Sequence, residues 1–197
     1  ALEEESMTIE RVRAAFKLAQ PDDEKVCHRV MPKLHVEVYD TIQGVDRESW
    51  DQLFNDRGIL DHESLRLLEE AFSENERQDQ NWDFIYLLIK DDKGKIVLAT
   101  FFTVGMWKDD VLSKAEVSEA LELIRQDDPY YMMSRVMAMG ALITDGEHLY
   151  LNRDHPLHQE ALKQLCAETE KLKFEHDAKM LMMRDIPADD ALLNEFF

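Results

Sequence analysis

The sequence predicts an α/β fold, a mixed and mostly antiparallel sheet with helices on both faces. Three stretches carry that expectation. "WDFIYLLIKDDKGKIVLATFFTV" (82–104) is a hairpin whose arms are apolar at nearly every residue. Such arms suit the centre of a sheet covered on both sides, and "DDKG" supplies the turn. "LHQEALKQLCAETEKLKF" (157–174) sets Leu157, Ala161, Leu162, Leu165, Thr169 and Leu172 along one side, the pattern of an amphipathic helix. That helix stands between two apolar strands, "RVMAMGALI" and "AKMLMMRDI".

The remaining elements follow in order. Residues 1–30 read as a helical appendage or linker: Ile9, Val12, Phe16 and Ala19 share a face, and "AQPDDEKV" then breaks the helix. Residues 31–197 form the domain. It opens with "KLHVEVYD", in which Leu34, Val36 and Val38 alternate as in a half-buried strand. Two short helices come next. Asp46 caps the first, with Trp50, Leu53 and Phe54 on its buried face; Asp61 caps the second, with Leu65, Leu68 and Phe72. After the hairpin, "SKAEVSEALELIRQ" opens with a capping box from Ser113 to Glu116 and reads as an inserted helix. "TDGE" is a turn, "HLYL" a short strand, and "ADDALLNEFF" a last helix that Asp189 caps.

Composition bounds the function. The chain has 197 residues, 45% of them hydrophobic, enough for one medium domain with a real core. Its formal net charge of −19 opposes a nucleic-acid partner. No apolar run approaches the roughly 18 residues that span a bilayer, so no membrane partner is expected. Cys27 and Cys166 offer neither a disulfide framework nor ligand spacing, and the expectation is reduced thiols in a cytoplasmic protein. His155 and His158 lie three apart with no third ligand at a recognisable spacing, so no metal is expected.

The order strand, helix, helix, strand, strand, strand, helix, strand, helix, together with "GEHLYL", "RDHPLH" and "RDIPADD", resembles the GNAT (Gcn5-related N-acetyltransferase) superfamily. Within it, the chain is most similar to the peptidoglycan-biosynthesis and Fem-type acyltransferase group. The resemblance covers about residues 34–197. It implies that the strands at about 134–143 and 179–184 run parallel and adjacent, splaying at their C-terminal ends. It also implies that the fold normally continues with two more strands. A homodimer or fused partner domain would then cover the free edge.

The resemblance further implies an N-acyltransferase that carries an acyl group from acyl-CoA to a small-molecule or peptide amine. The strand backbone at Met139, Gly140 and Ala141 would pair with the pantetheine arm. The helix entrance at Arg153, Asp154, His155 and His158 would hold the pyrophosphate. Pro156 and His158 stand where the family pattern has glycines, so weak acyl-CoA binding is expected. Asp154 reads more simply as the helix N-cap, since its charge would repel a phosphate there. Glu147, Asp145 and His148, near the far end of the strand, are the candidates for a general base. Asp61, His62 and Glu63 form a second candidate group at a helix entrance. The alternative is a catalytically inactive GNAT-like binding or regulatory module, or one lobe of a larger two-lobed or fused acyltransferase.

Overall fold

A computed structural model describes residues 33–197. The expected helix over 3–19 and residue Cys27 lie outside the described residues. Strand β1 (Leu34–Tyr39) leads to α1 (Arg47–Phe54) and α2 (His62–Ala71), then to β2 (Asp83–Asp91) and β3 (Ile96–Lys108). An excursion carrying α3 (Ala115–Arg125) returns as β4 (Met133–Met139). The chain then forms β5 (Leu149–Leu151), α4 (His158–Glu175), β6 (Met180–Met182) and α5 (Ala191–Phe196). Among the described residues the sheet has six strands in the order β1-β2-β3-β4-β6, with β5 paired to β3. Every pairing is antiparallel except β4 with β6, which run parallel with Met137 opposite Leu181. The architecture is α/β with a mixed open sheet, as the sequence predicts.

The continuous apolar arms are explained by the two faces. Along β2, Ile85, Leu87 and Ile89 pack into one core with Leu162 and Leu165 of α4 and Leu193 of α5. Phe84, Tyr86 and Leu88 pack into the other with Trp50 and Phe54 of α1 and Leu65 of α2. Strand β3 divides in the same way, Phe102 and Val104 to the first core, Ala99 and Phe101 to the second. Polar groups fix the helices to this sheet. Asp46 and Asp61 accept from Ser49 N and Ser64 N at 2.9 and 3.0 Å, so both expected caps form. Trp50 Nε1 donates to Leu60 O at 2.8 Å, and Glu69 accepts from Tyr86 Oη and Ile42 N at 2.7 and 2.6 Å.

Several local expectations are corrected. Strand β4 stops at Met139 instead of continuing to about 143, because Gly140 takes φ +75° and Thr144 N turns back to Ala141 O at 3.1 Å. The turn therefore comes before "TDGE". Lys114, not Ser113, stands at the N-cap of α3, and no side chain caps it. Asp190, not Asp189, caps α5, its carboxylate accepting from Leu193 N at 3.1 Å. Val38 is 43% exposed, on a strand that pairs with β2 alone and ends the sheet order.

The excursion between β3 and β4 is fastened at its neck by polar groups. Arg125 donates to Asp110 Oδ1 and Glu122 Oε1, both at 2.6 Å, and to the carbonyls of Tyr131 and Met132 at 2.9 and 3.1 Å. The guanidinium holds the Asp110 carboxyl down to about 2. A carboxylate with a depressed folded pKa stabilises the fold above its unfolded pKa of about 4 and loses that contribution as pH falls toward 2. We expect Asp110→Asn to reduce stability at neutral pH and to flatten the acid limb of urea-unfolding midpoints measured across this window. In the core, Leu165→Ala removes the contact between α4 and the sheet. It should lower the unfolding free energy by about 2–5 kcal/mol in a denaturant titration.

Candidate functional site

Strands β4 and β6 part company beyond Ala138 and Met182. Next to that point, at the ends of β4 and β5 and under the loop from β6 to α5, lies a cleft of about 580 Å³. Its floor is apolar: Met139, Leu149, Leu151, Ile186 and Leu193. Its rim is charged, with Arg57, Glu147, Arg153, Asp185, Asp189 and Asp190. The volume is in the range of small-molecule sites.

Five of the six rim charges, all but Asp189, are in ion pairs. Arg57 follows α1 and lies over the Phe54 ring at 5.6 Å. Its Nη1 donates to Leu149 O at 2.9 Å and Glu147 O at 3.3 Å, and it sits 3.4 Å from the Glu147 carboxylate. Arg153 pairs with Asp190. Arg184 leaves β6 and donates to Ala141 O at 2.6 Å and Thr144 O at 2.9 Å. Its Nε meets Asp185 at 2.9 Å.

Behind the cleft a buried cluster closes the end of β4. Gly140 has its backbone so near the His148 ring that a Cβ there would fall 2.5 Å from Cδ2. Only glycine fits both that approach and the positive φ. Thr144 Oγ1 accepts from Ala141 N at 2.8 Å and lies 2.8 Å from His148 Nε2 and 3.1 Å from Ala141 O. The hydroxyl's one proton goes to Ala141 O, so His148 Nε2 carries the ring proton and donates it to Oγ1, which leaves Nδ1 without a proton. Nδ1 is 3.3 Å from Asp185 Oδ2 but out of line for a hydrogen bond. Burial lowers the His148 pKa, and the nearby Asp185 carboxylate opposes that shift. Asp185 itself sits at φ +57°, a conformation aspartate tolerates better than most residues.

The candidate bases thus separate. His148 is sealed in the core, Asp145 is fully exposed beside Arg184 at 3.7 Å, and Glu147 alone of the three lines the cleft. Asp61 is occupied as a cap, and Glu63 pairs with Arg66 at 2.8 Å. His62 is buried. Of the strand residues, Met139 reaches the cleft floor. Gly140 donates its N–H to Phe101 O at 2.9 Å and accepts from Thr103 Oγ1 at 2.8 Å. Ala141 is bonded at both N and O within its own turn and by Arg184.

The entrance to α4 is arranged around His155. Its Nδ1 accepts from Leu157 N at 3.2 Å, which places the ring proton on Nε2, 3.3 Å from Asp91 Oδ2. His155 O accepts from His158 N at 3.1 Å and from His158 Nδ1 at 2.8 Å. Asp154 makes no cap: Leu157 holds that position with no side-chain bond. The other Asp91 oxygen accepts from Lys93 N and Lys95 N at 2.9 and 2.8 Å, so the helix entrance is tied to the β2–β3 turn. Among the described residues no three His, Cys, Asp or Glu side chains gather as a metal-ligand set. No described helix is long and apolar enough to cross a membrane.

Sequence reasoning did not single out Arg57 and Thr144. Arg184, Asp185 and Asp190 lay in plain view in "RDIPADD" without an assigned role. The turn at 141–144 brings Thr144 and Arg184 together from forty residues apart, and no local pattern announces such a meeting. No protein-family model, curated protein or solved structure matches the chain.

The closed cluster makes a pH test. A histidine whose folded pKa is depressed leaves the unfolded chain with more bound protons below about 6.5, so stability falls as pH drops through that value. Urea midpoints from about pH 7 to 5 should decline in the wild type. His148→Gln should be less stable at neutral pH and lack that part of the decline.

Proposed function

We propose that this chain is a GNAT-like domain in derivative form, a binding module that uses the cleft below β4 and β6 without an acyl-CoA cradle. The observation that carries this reading is the closure of the β4 end by the chain itself. A pantetheine arm would need free amide and carbonyl groups at Gly140 and Ala141, and each of these already has an internal partner. A pyrophosphate would need free N–H groups at the start of α4. There Pro156 has none to give, and the N–H groups of Leu157 and His158 are taken by His155.

The cleft remains suited to a small molecule with an apolar body, held on Met139, Leu149 and Leu193 and met at the rim by paired charges. The enzymatic reading, transfer from acyl-CoA to an amine, is favoured by one position: Glu147, on the rim and 60% exposed, is placed to take a proton.

Calorimetric titration with acetyl-CoA and with a longer acyl-CoA separates the two. Losing several charge-assisted hydrogen bonds, each contributing about 1.5–3 kcal/mol, leads to dissociation constants of about tens of micromolar or weaker. That result supports the module. Binding below about 1 μM, lost in Arg153→Ala, would overturn it and restore the acyltransferase, with Glu147→Gln then expected to lower turnover by about 10²–10⁴.

A further inference from the structure

The excursion between β3 and β4 leaves the sheet and carries α3 on its outside, where Arg125 is the single buried residue of the helix. Ala120 follows Val117 by three residues, and Leu123 and Ile124 follow Ala120 by three and four, so the four form one stripe. The stripe faces solvent: Val117 is 47% exposed, Leu123 66% and Ile124 43%. The turn leading into the helix adds Val111 and Leu112, the latter 96% exposed. Scattered apolar surface residues are ordinary, whereas this many on one short excursion mark a contact surface.

Two further observations say what kind of partner fits. The excursion is rigidly held: Arg125 grips Asp110, Glu122 and two carbonyls, Lys108 Nζ meets Glu122 at 2.8 Å, and Asp109 N donates to Met132 O at 2.9 Å. A surface fixed in this way loses little entropy on binding. Around the stripe the charges are one-sided. Once Asp110, Glu122 and Arg125 are set aside as the neck, Asp109, Glu116, Glu119, Asp127 and Asp128 remain against Lys114 alone. A second copy of the chain brings the same carboxylates and a net charge of −19, which opposes self-association.

We propose that α3 and the turn before it form a docking surface for a basic amphipathic helix of another protein, which lays its apolar face on Val117, Leu123 and Ile124 and its lysines or arginines against the acidic rim. This is helix recognition by an apolar stripe with complementary charge at the edges. The surface is distinct from the cleft and does not depend on what the cleft binds.

The test uses the full chain and two synthetic helical peptides of equal charge: one with lysines and a leucine face, the other with serines in place of the leucines. Fluorescence anisotropy should show the leucine peptide binding at least about tenfold tighter than the serine peptide. The double variant Leu112→Ser and Leu123→Ser should remove most of that difference; both side chains are exposed, so the fold is spared. Phe174→Ser, at an 88% exposed position on α4, should leave it unchanged. Equal binding of the two peptides, or binding indifferent to the double variant, would reduce the effect to general attraction by an acidic chain and overturn the proposal. Sedimentation showing a dimer that the double variant dissolves would overturn it in favour of a second copy.

Discussion

Guanidinium groups bonded to main-chain carbonyls hold the places where the sheet gives way to loops. Among the described residues four arginines do this. Arg57 takes the carbonyls of Glu147 and Leu149, Arg125 those of Tyr131 and Met132, Arg135 that of His176, and Arg184 those of Ala141 and Thr144. Each also meets a carboxylate: Glu147, Asp110, Asp83 and Asp185 respectively. The planar fork suits this double duty, since it offers several fixed donors and stays charged. Carbonyls in irregular segments need such donors, because no ladder supplies them.

That use of arginine bears on the acidity of the chain. With 42 Asp and Glu against 23 Lys and Arg, repulsion works against a compact state. The fold places part of its scarce positive charge where a carbonyl and a carboxylate can be satisfied together. Surface pairs such as Lys163 with Glu160 at 3.4 Å, both exposed, contribute little by comparison. Replacing Arg184 with lysine would keep the charge yet lose the fork that spans two carbonyls, so the substitution is not conservative there.

How much was legible in the sequence follows from the range of the interactions involved. The β2–β3 hairpin, the helix caps at Asp46 and Asp61 and the buried side of α4 rest on neighbours within a few residues, and those patterns are local. The parallel partnership of β4 and β6 came from the resemblance in element order, not from periodicity. The end of β4 was misplaced because "MGALI" keeps its apolar character through the turn: Leu142 and Ile143 are 43% and 56% exposed despite their type. Gly140 was the one local sign, a residue free to take positive φ. At the cleft, Glu147 and Arg153 could be named from motif position. Arg57 could not, because it arrives from the turn after α1, ninety residues before its carbonyl partner at Glu147.

The same closure that hid the strand end decides what the cleft can do. A ligand that reads a strand by its backbone needs an open ladder, and β4 past Met139 offers none: Gly140 faces His148 and β3, and Ala141 is spanned by Thr144 and Arg184. What β4 still presents to the cleft is the Met139 side chain, beside Leu149, Leu151 and Leu193. On the proposed reading, recognition there would combine shape and apolar contact with the polar rim pairs Arg57–Glu147 and Arg153–Asp190. Glu147, with 60% of its side chain exposed, can yield its place on Arg57 to a ligand anion and remain solvated, whereas Asp190, only 14% exposed, would be left poorly solvated without Arg153. A neutral ligand would leave both pairs intact. On the proposed reading the cleft would discriminate by volume and by its rim pairs, unlike a phosphate cradle, whose backbone N–H groups donate to anions alone.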